Sequence, residues 1–138
     1  MSTTRETTSV VEAVIDDVAA WARSRTDVRA LALVGSRARG DARPDSDVDF
    51  VVLAERPEDL VRDTAWVGHF GEVSRLRVEE WGRVTAVRVW YAHGVEIEFG
   101  LATAAWATDA DAGTSRVLGD GVRILMDRDG DLARLVGS

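Results

Sequence analysis

The stretch VGSRARGDARPDSDVDFVVL, Val34 to Leu53, constrains this chain more than any other part of it. An apolar run from Val28 ends at Gly35-Ser36, and a second apolar run starts at Asp47-Val48-Asp49. A strand sends alternate side chains to opposite faces, so Asp47 and Asp49 point the same way while Val48 and Phe50 point into a core. Two ionised carboxylates about 5 Å apart repel by about 3 kcal/mol at an effective dielectric near 20, and aspartate is a poor strand former. Such a pair is readily tolerated at the head of a buried strand when a divalent cation sits between its members. Carboxylates together with substrate phosphates are the usual ligands of Mg²⁺. Two such ions roughly 4 Å apart clamp the attacking and leaving oxygens of a phosphoryl displacement.

The Gly35-Ser36 turn supplies a complementary element. Glycine lets the backbone approach a ligand closely. Ser36 is placed to cap a short helix through Arg37-Ala38-Arg39, whose N-terminus would offer N–H groups to an anion. Arg39 adds a charge for a phosphate. A third carboxylate is available in Val95-Glu96-Ile97-Glu98-Phe99, where both glutamates fall on the face opposite the apolar residues. If that strand neighbours Asp47 to Leu53, Glu98 or Glu96 completes a metal site or accepts a proton from an attacking hydroxyl. Glu98 is favoured; periodicity does not separate the two.

Composition narrows the alternatives. All 17 basic residues are arginine, so there is no Schiff-base lysine and no lysine of a Walker-type phosphate loop. The chain has no cysteine, hence no disulfide or thiolate metal site, and its N-terminus has no apolar signal core. A cytoplasmic home is expected. No apolar run is long enough to cross a bilayer, and a net charge of −7 argues against broad binding to a nucleic-acid backbone. His69 and His93 have no metal-ligand spacing. The five tryptophans are core residues by default, with Trp81 and Trp90 the two that could stack on a base.

One domain over residues 1–138 is expected. Ser9-Val10-Val11-Glu12 matches a capping box, which predicts a helix over 9–24. Strands are expected at 28–34 and 47–53, and a helix from Pro57 to about Val67. Val84–Tyr91 and Val95–Leu101 read as a hairpin around Ala92-His93-Gly94. A short helix is expected at 103–107 and a last strand at 121–126, while 72–81 reads as either strand or irregular. The fold class is α/β (α+β), a mixed β-sheet flanked by helices, with the helices packed on one side.

Gly35-Ser36-Arg37-Ala38-Arg39-Gly40 followed by Ser46-Asp47-Val48-Asp49 resembles the GSxxRG…SDxD pattern of the nucleotidyltransferase superfamily related to DNA polymerase β. The likeness covers roughly Val28 to Leu101 and is similar to minimal bacterial members and to the core of aminoglycoside nucleotidyltransferases. It implies the nucleotidyltransferase fold, with Gly35 and Ser36 holding a triphosphate. Ser46 and Arg39 join them in the nucleotide site. The resemblance makes Asp47 and Asp49 ligands of Mg²⁺, two ions being expected, and has Glu98 or Glu96 complete the site. The implied reaction moves a nucleoside monophosphate from an NTP, with ATP the expected donor, to a hydroxyl of a small molecule or protein, releasing pyrophosphate. Two rival roles follow from the same likeness: an antitoxin that binds a HEPN-type helical toxin, and a nucleotide sensor without turnover. A homodimer or a HEPN-type partner would supply the acceptor groove.

Overall fold

The computed structural model describes residues 3–40, 43, 47–82, 84–108 and 121–137. Helix α1, Thr3–Ser24, leads into strand β1, Val28–Val34, and a single helical turn, α2, Ser36–Arg39. Strand β2, Val48–Ala54, is followed by α3, Pro57–Arg62, and a 3₁₀ helix, Ala65–Phe70. Strands β3, Val73–Trp81, β4, Val84–Tyr91, and β5, Glu96–Ala102, run on as a meander. Helix α4, Ala105–Thr108, strand β6, Val122–Asp127, and helix α5, Asp131–Gly137, complete the described elements.

The strands form one six-stranded sheet in the order β3-β4-β5-β2-β1-β6. Only the β2–β5 pair is parallel; the other four are antiparallel. The parallel pair requires a crossover, and α3, the 3₁₀ helix, β3 and β4 supply it.

Alternation along the strands divides the core in two. On one face Leu31, Leu33, Phe50, Val52, Val87, Val89, Ile97 and Phe99 meet Val14, Val18, Trp21 and Ala22 of α1. An aromatic cluster joins these layers: Trp21 stacks on Trp66 at 4.9 Å between centroids, and Trp66 meets Phe99 edge-on at 4.8 Å. On the other face Ala32, Val51, Leu53 and Ala102 are covered by Trp106 of α4 and Leu132 of α5. Helices therefore flank the sheet on both faces, not on one. The second layer comes from α4, where 103–107 already reads as helical, and from α5 in the apolar tail.

One helix start and one helix end differ from what the sequence predicts. Helix α1 begins at Thr3, so Ser9 and Glu12 lie inside it; helix continues upstream wherever local geometry permits, and a capping pattern alone does not stop it. The segment from Pro57 breaks after Arg62, where Asp63 is extended (φ −126°, ψ 105°), and resumes as the 3₁₀ helix. That break seats Trp66, whose indole N–H donates to the Leu60 carbonyl at 2.9 Å. No helix among the described residues is long and apolar enough to cross a membrane.

Candidate active site

The second face of the sheet is apolar near α4 and α5 and acidic at the opposite end of β2. The change occurs along single strands: Leu53 and Val51 are buried, and Asp49, two residues earlier on the same face, is half-buried. Register then sets Asp49's neighbours. Asp49 pairs with Glu98 across β2–β5 and with Val34 across β1–β2, while Glu98 pairs with Arg88 across β4–β5. Residues paired across a sheet share a face, so Asp49, Glu98 and Arg88 form one row. Glu96 pairs with Trp90 in the next row, and Asp47 precedes β2 on the same side.

Arg88 ties the acids together. Its Nη1 donates to Asp47 Oδ2 at 2.8 Å and to Glu96 Oε2, and its Nη2 lies 3.3 Å from Glu98 Oε2. Burial opposes the guanidinium charge, but the bonds to Glu96 and Asp47 and the nearby charges of Glu98 and Asp47 raise its pKa above the ordinary value. Asp49 is set instead against Glu98, with which it shares a side-chain hydrogen bond that also favours its protonated form. Burial first, then the charges of Glu98 and Asp47, push its carboxyl up to about 6, against a smaller opposing influence from Arg88. The strongest electrostatic stress in the cluster therefore falls on Asp49.

The Gly35 turn closes one side. Gly35 has φ 76° and ψ −154° and occupies the N-cap position of α2. Its backbone lies so close to Asp49 that a Cβ at this position would stand 2.9 Å from Asp49 Oδ2. Ser36 is thus the first helical residue and not the cap. Only glycine takes this φ cheaply, and only glycine leaves room for the carboxylate. Arg39, at the far end of α2, is exposed, and its side chain packs against Gly121. Ser46 lies outside the described residues.

The structure thus brings together Asp47, Asp49, Glu96, Glu98 and the Gly35-Ser36 turn, and leaves Arg39 at the margin. Sequence reasoning missed Arg88. Its signal was a charged residue between Val87 and Val89 in an apolar strand whose hairpin partner carries two glutamates. Among the described residues, no three acidic or histidine side chains converge into a ready cation cage. The donor set of carboxylate oxygens nevertheless suits a hard divalent cation, provided that Arg88 turns aside. A separate cleft of about 540 Å³, lined by Trp21, Leu60, Trp66 and His69 among others, belongs to the α1 side of the sheet. It lies on the opposite face of the sheet from Asp49 and Glu98, and its polar lining is Ser24, Arg25, Asp59, Asp63 and His69.

A family model described as a nucleotidyltransferase domain matches residues 17–92, more than half of the chain. The match takes in Gly35, Ser36, Asp47, Asp49 and Arg88 and stops short of Glu96 and Glu98. Comparison with curated proteins finds no match. Among solved structures, an aminoglycoside 6-adenyltransferase from Bacillus subtilis is similar with a TM-score of 0.58 at 16% identity. The alignment covers 73% of this chain and 38% of that one. The polymerase core of TRAMP, an RNA surveillance complex, matches at a TM-score of 0.47 and 19% identity, over 67% of this chain and 29% of that one. The Cid1 poly(U) polymerase matches at 0.42 and 17%, over 71% and 30%. The chain spans well under half the length of each of these structures, and at 16% identity the likeness to the adenyltransferase describes the fold alone.

Proposed function

The chain belongs to the nucleotidyltransferase domain family, and on that premise we propose that it transfers a nucleoside monophosphate from an NTP, with ATP as donor, to an acceptor hydroxyl. One observation carries this reading: Asp49 stands between the Gly35 turn and Glu98, with Asp47 and Arg88 beside it. A triphosphate seated on the first turn of α2 brings its α-phosphorus to the carboxylates. The acceptor oxygen then bonds to that phosphorus as the bond to the β-phosphate oxygen breaks. Pyrophosphate leaves, and the hydroxyl proton passes to Glu98.

Asp47, Asp49 and Glu98 are the residues that would hold Mg²⁺, which when bound neutralises phosphate charge and polarises the reacting oxygens. Gly35 admits the phosphates by lacking a side chain. Arg88 holds the carboxylates in one place through its contacts with Asp47, Glu96 and Glu98. Catalysis on this scheme comes from positioning and charge neutralisation. Glu98 is preferred over Glu96 because it pairs directly with Asp49, whereas Glu96 pairs with Trp90 and bonds to Arg88.

The test is incubation of purified protein with each α-labelled NTP, Mg²⁺ and cell lysate. Label transfer by the wild type that is lost in Asp49→Asn supports the reading; equal labelling by Asp47→Asn/Asp49→Asn removes it. A second reading, a binding partner such as an antitoxin, draws on β3. This edge strand is paired by β4 on one side and exposes Val73 and Val78, so a second copy or a HEPN-type protein has a strand edge to meet. Light scattering coupled to size exclusion, with Val78→Lys as the control, separates an assembling chain from a monomer.

A further inference from the structure

The acidic row continues across the sheet into groups of opposite charge. Glu96 pairs with Trp90 and Trp90 with Arg75; Glu98 pairs with Arg88 and Arg88 with Arg77. Arg75 and Arg77 therefore share the face of the carboxylates, and both are exposed. Their guanidinium carbons lie 4.8 Å and 5.8 Å from the centroid of the Trp90 ring, which is half-buried. Arg77 also pairs with Glu79, while the ring is the contact that orients Arg75.

The order across this face is thus the Gly35 turn, Asp47 and Asp49, Glu96 and Glu98, then Arg88 and Trp90, and last Arg75 and Arg77. With the donor phosphates on the Gly35 flank, the acceptor must approach from the other. That flank is a ring bordered by cations. It repels a polycationic amino sugar and suits a molecule carrying both a planar ring and a phosphate. β3 lies two strand spacings from β5, about 10 Å, within the length of one nucleotide. Beyond the arginines the face is acidic at Glu79, and the whole chain carries −7, which disfavours a long polyanion.

We propose that Arg75, Arg77 and Trp90 form the acceptor subsite and that the acceptor is a free nucleotide, its phosphate held by the two arginines and its sugar hydroxyl turned to Glu98. This rests on the nucleotidyltransferase reading above, and its transfer step is the one written there, with the nucleotide's hydroxyl as the attacking oxygen.

The experiment is a two-step titration followed by calorimetry and tryptophan fluorescence. The wild type is first saturated with α,β-methylene-ATP and Mg²⁺, then titrated with UMP; a parallel UMP titration omits the analogue. A further equivalent of UMP, with a change in tryptophan emission, is expected. Arg75→Gln/Arg77→Gln should weaken UMP by about tenfold or more while retaining both the analogue affinity and the melting temperature. Trp90→Phe should diminish the emission change. The proposal is overturned by an absent second equivalent, or by equal UMP affinity in the double variant. It is equally overturned if the double variant loses the ATP analogue, since the arginines would then serve the donor. Displacement of UMP by kanamycin would overturn the anionic class, and much tighter binding of hexauridylate than of UMP would overturn the single-nucleotide size. If the analogue fails to bind the wild type, the donor reading falls, and the parallel titration still decides the subsite.

Discussion

Asp49 and Arg88 make opposite contributions to the same cluster. With its folded pKa raised from 3.8 to about 6, Asp49 holds its proton more tightly in the folded state than in the unfolded one. Its contribution to stability is therefore greatest below the unfolded value and is lost as pH rises through about 6. In EDTA, urea midpoints of the wild type relative to Asp49→Asn should fall between about pH 4 and about pH 6 and then level off. A flat difference over that range would show that the carboxyl titrates normally. Metal binding needs the ionised form, so Mg²⁺ affinity should strengthen over the same interval. Arg88 supplies the counter-charge to Asp47, Glu96 and Glu98. Arg88→Met should cost about 2 kcal/mol, between the values for exposed and buried pairs, and should tighten Mn²⁺ binding measured by calorimetry. Weaker Mn²⁺ binding in that variant would mean that Arg88 shapes the carboxylates for the cation instead of competing with it.

At the scale of elements, the junction of β1 with α2 and the parallel β2–β5 pairing decide the geometry. Gly35→Ala should cost about 2 kcal/mol through its left-handed φ, and the added Cβ must displace Asp49 from its 2.9 Å approach. Transfer activity should fall far more than the melting temperature suggests; an active, merely less stable variant would remove the turn from the site. The β2–β5 register ranks the glutamates. Glu98→Gln should abolish labelling and Glu96→Gln should weaken it, because Glu98 lies opposite Asp49, whereas Glu96 is held by the same Arg88 nitrogen as Asp47. The reverse ranking, read by single-turnover labelling, would transfer the role to Glu96.

At the scale of the whole molecule, the strands that carry the acidic row are held between two cores on opposite faces of one sheet. Leu132 of α5 is fully buried against the second core with Val51, Leu53 and Trp106. Leu132→Ala should therefore cost about 3 kcal/mol, as measured by urea unfolding, with a smaller loss implying that α5 packs loosely. Because the variant acts through Val51 and Leu53 on the strand that carries Asp49, it should also lower Mg²⁺-dependent ATP-analogue affinity. Unchanged affinity would show that the site stands on β1, β2 and β5 without the second layer.

Much of this was legible in local sequence, because the signals are local. The 3.6-residue spacing of Val11, Val14, Val18 and Trp21 foretells α1, and the apolar runs foretell β1, β2 and the β4–β5 hairpin. The Asp47-Val48-Asp49 alternation declares a shared acidic face whatever surrounds it. Pairing between distant strands has no such local sign. That β5 lies parallel to β2, which sets Glu98 and not Glu96 opposite Asp49, depends on how the crossover through α3, the 3₁₀ helix, β3 and β4 packs as a whole. The same packing brings Arg88, some 40 residues beyond Asp47, into the carboxylates and lines up Arg75, Arg77 and Trp90 behind it. The sequence by itself determined which residues are acidic, apolar or able to take a positive φ; the tertiary structure alone decided which charges meet, because long-range register is set by the burial of both sheet faces at once.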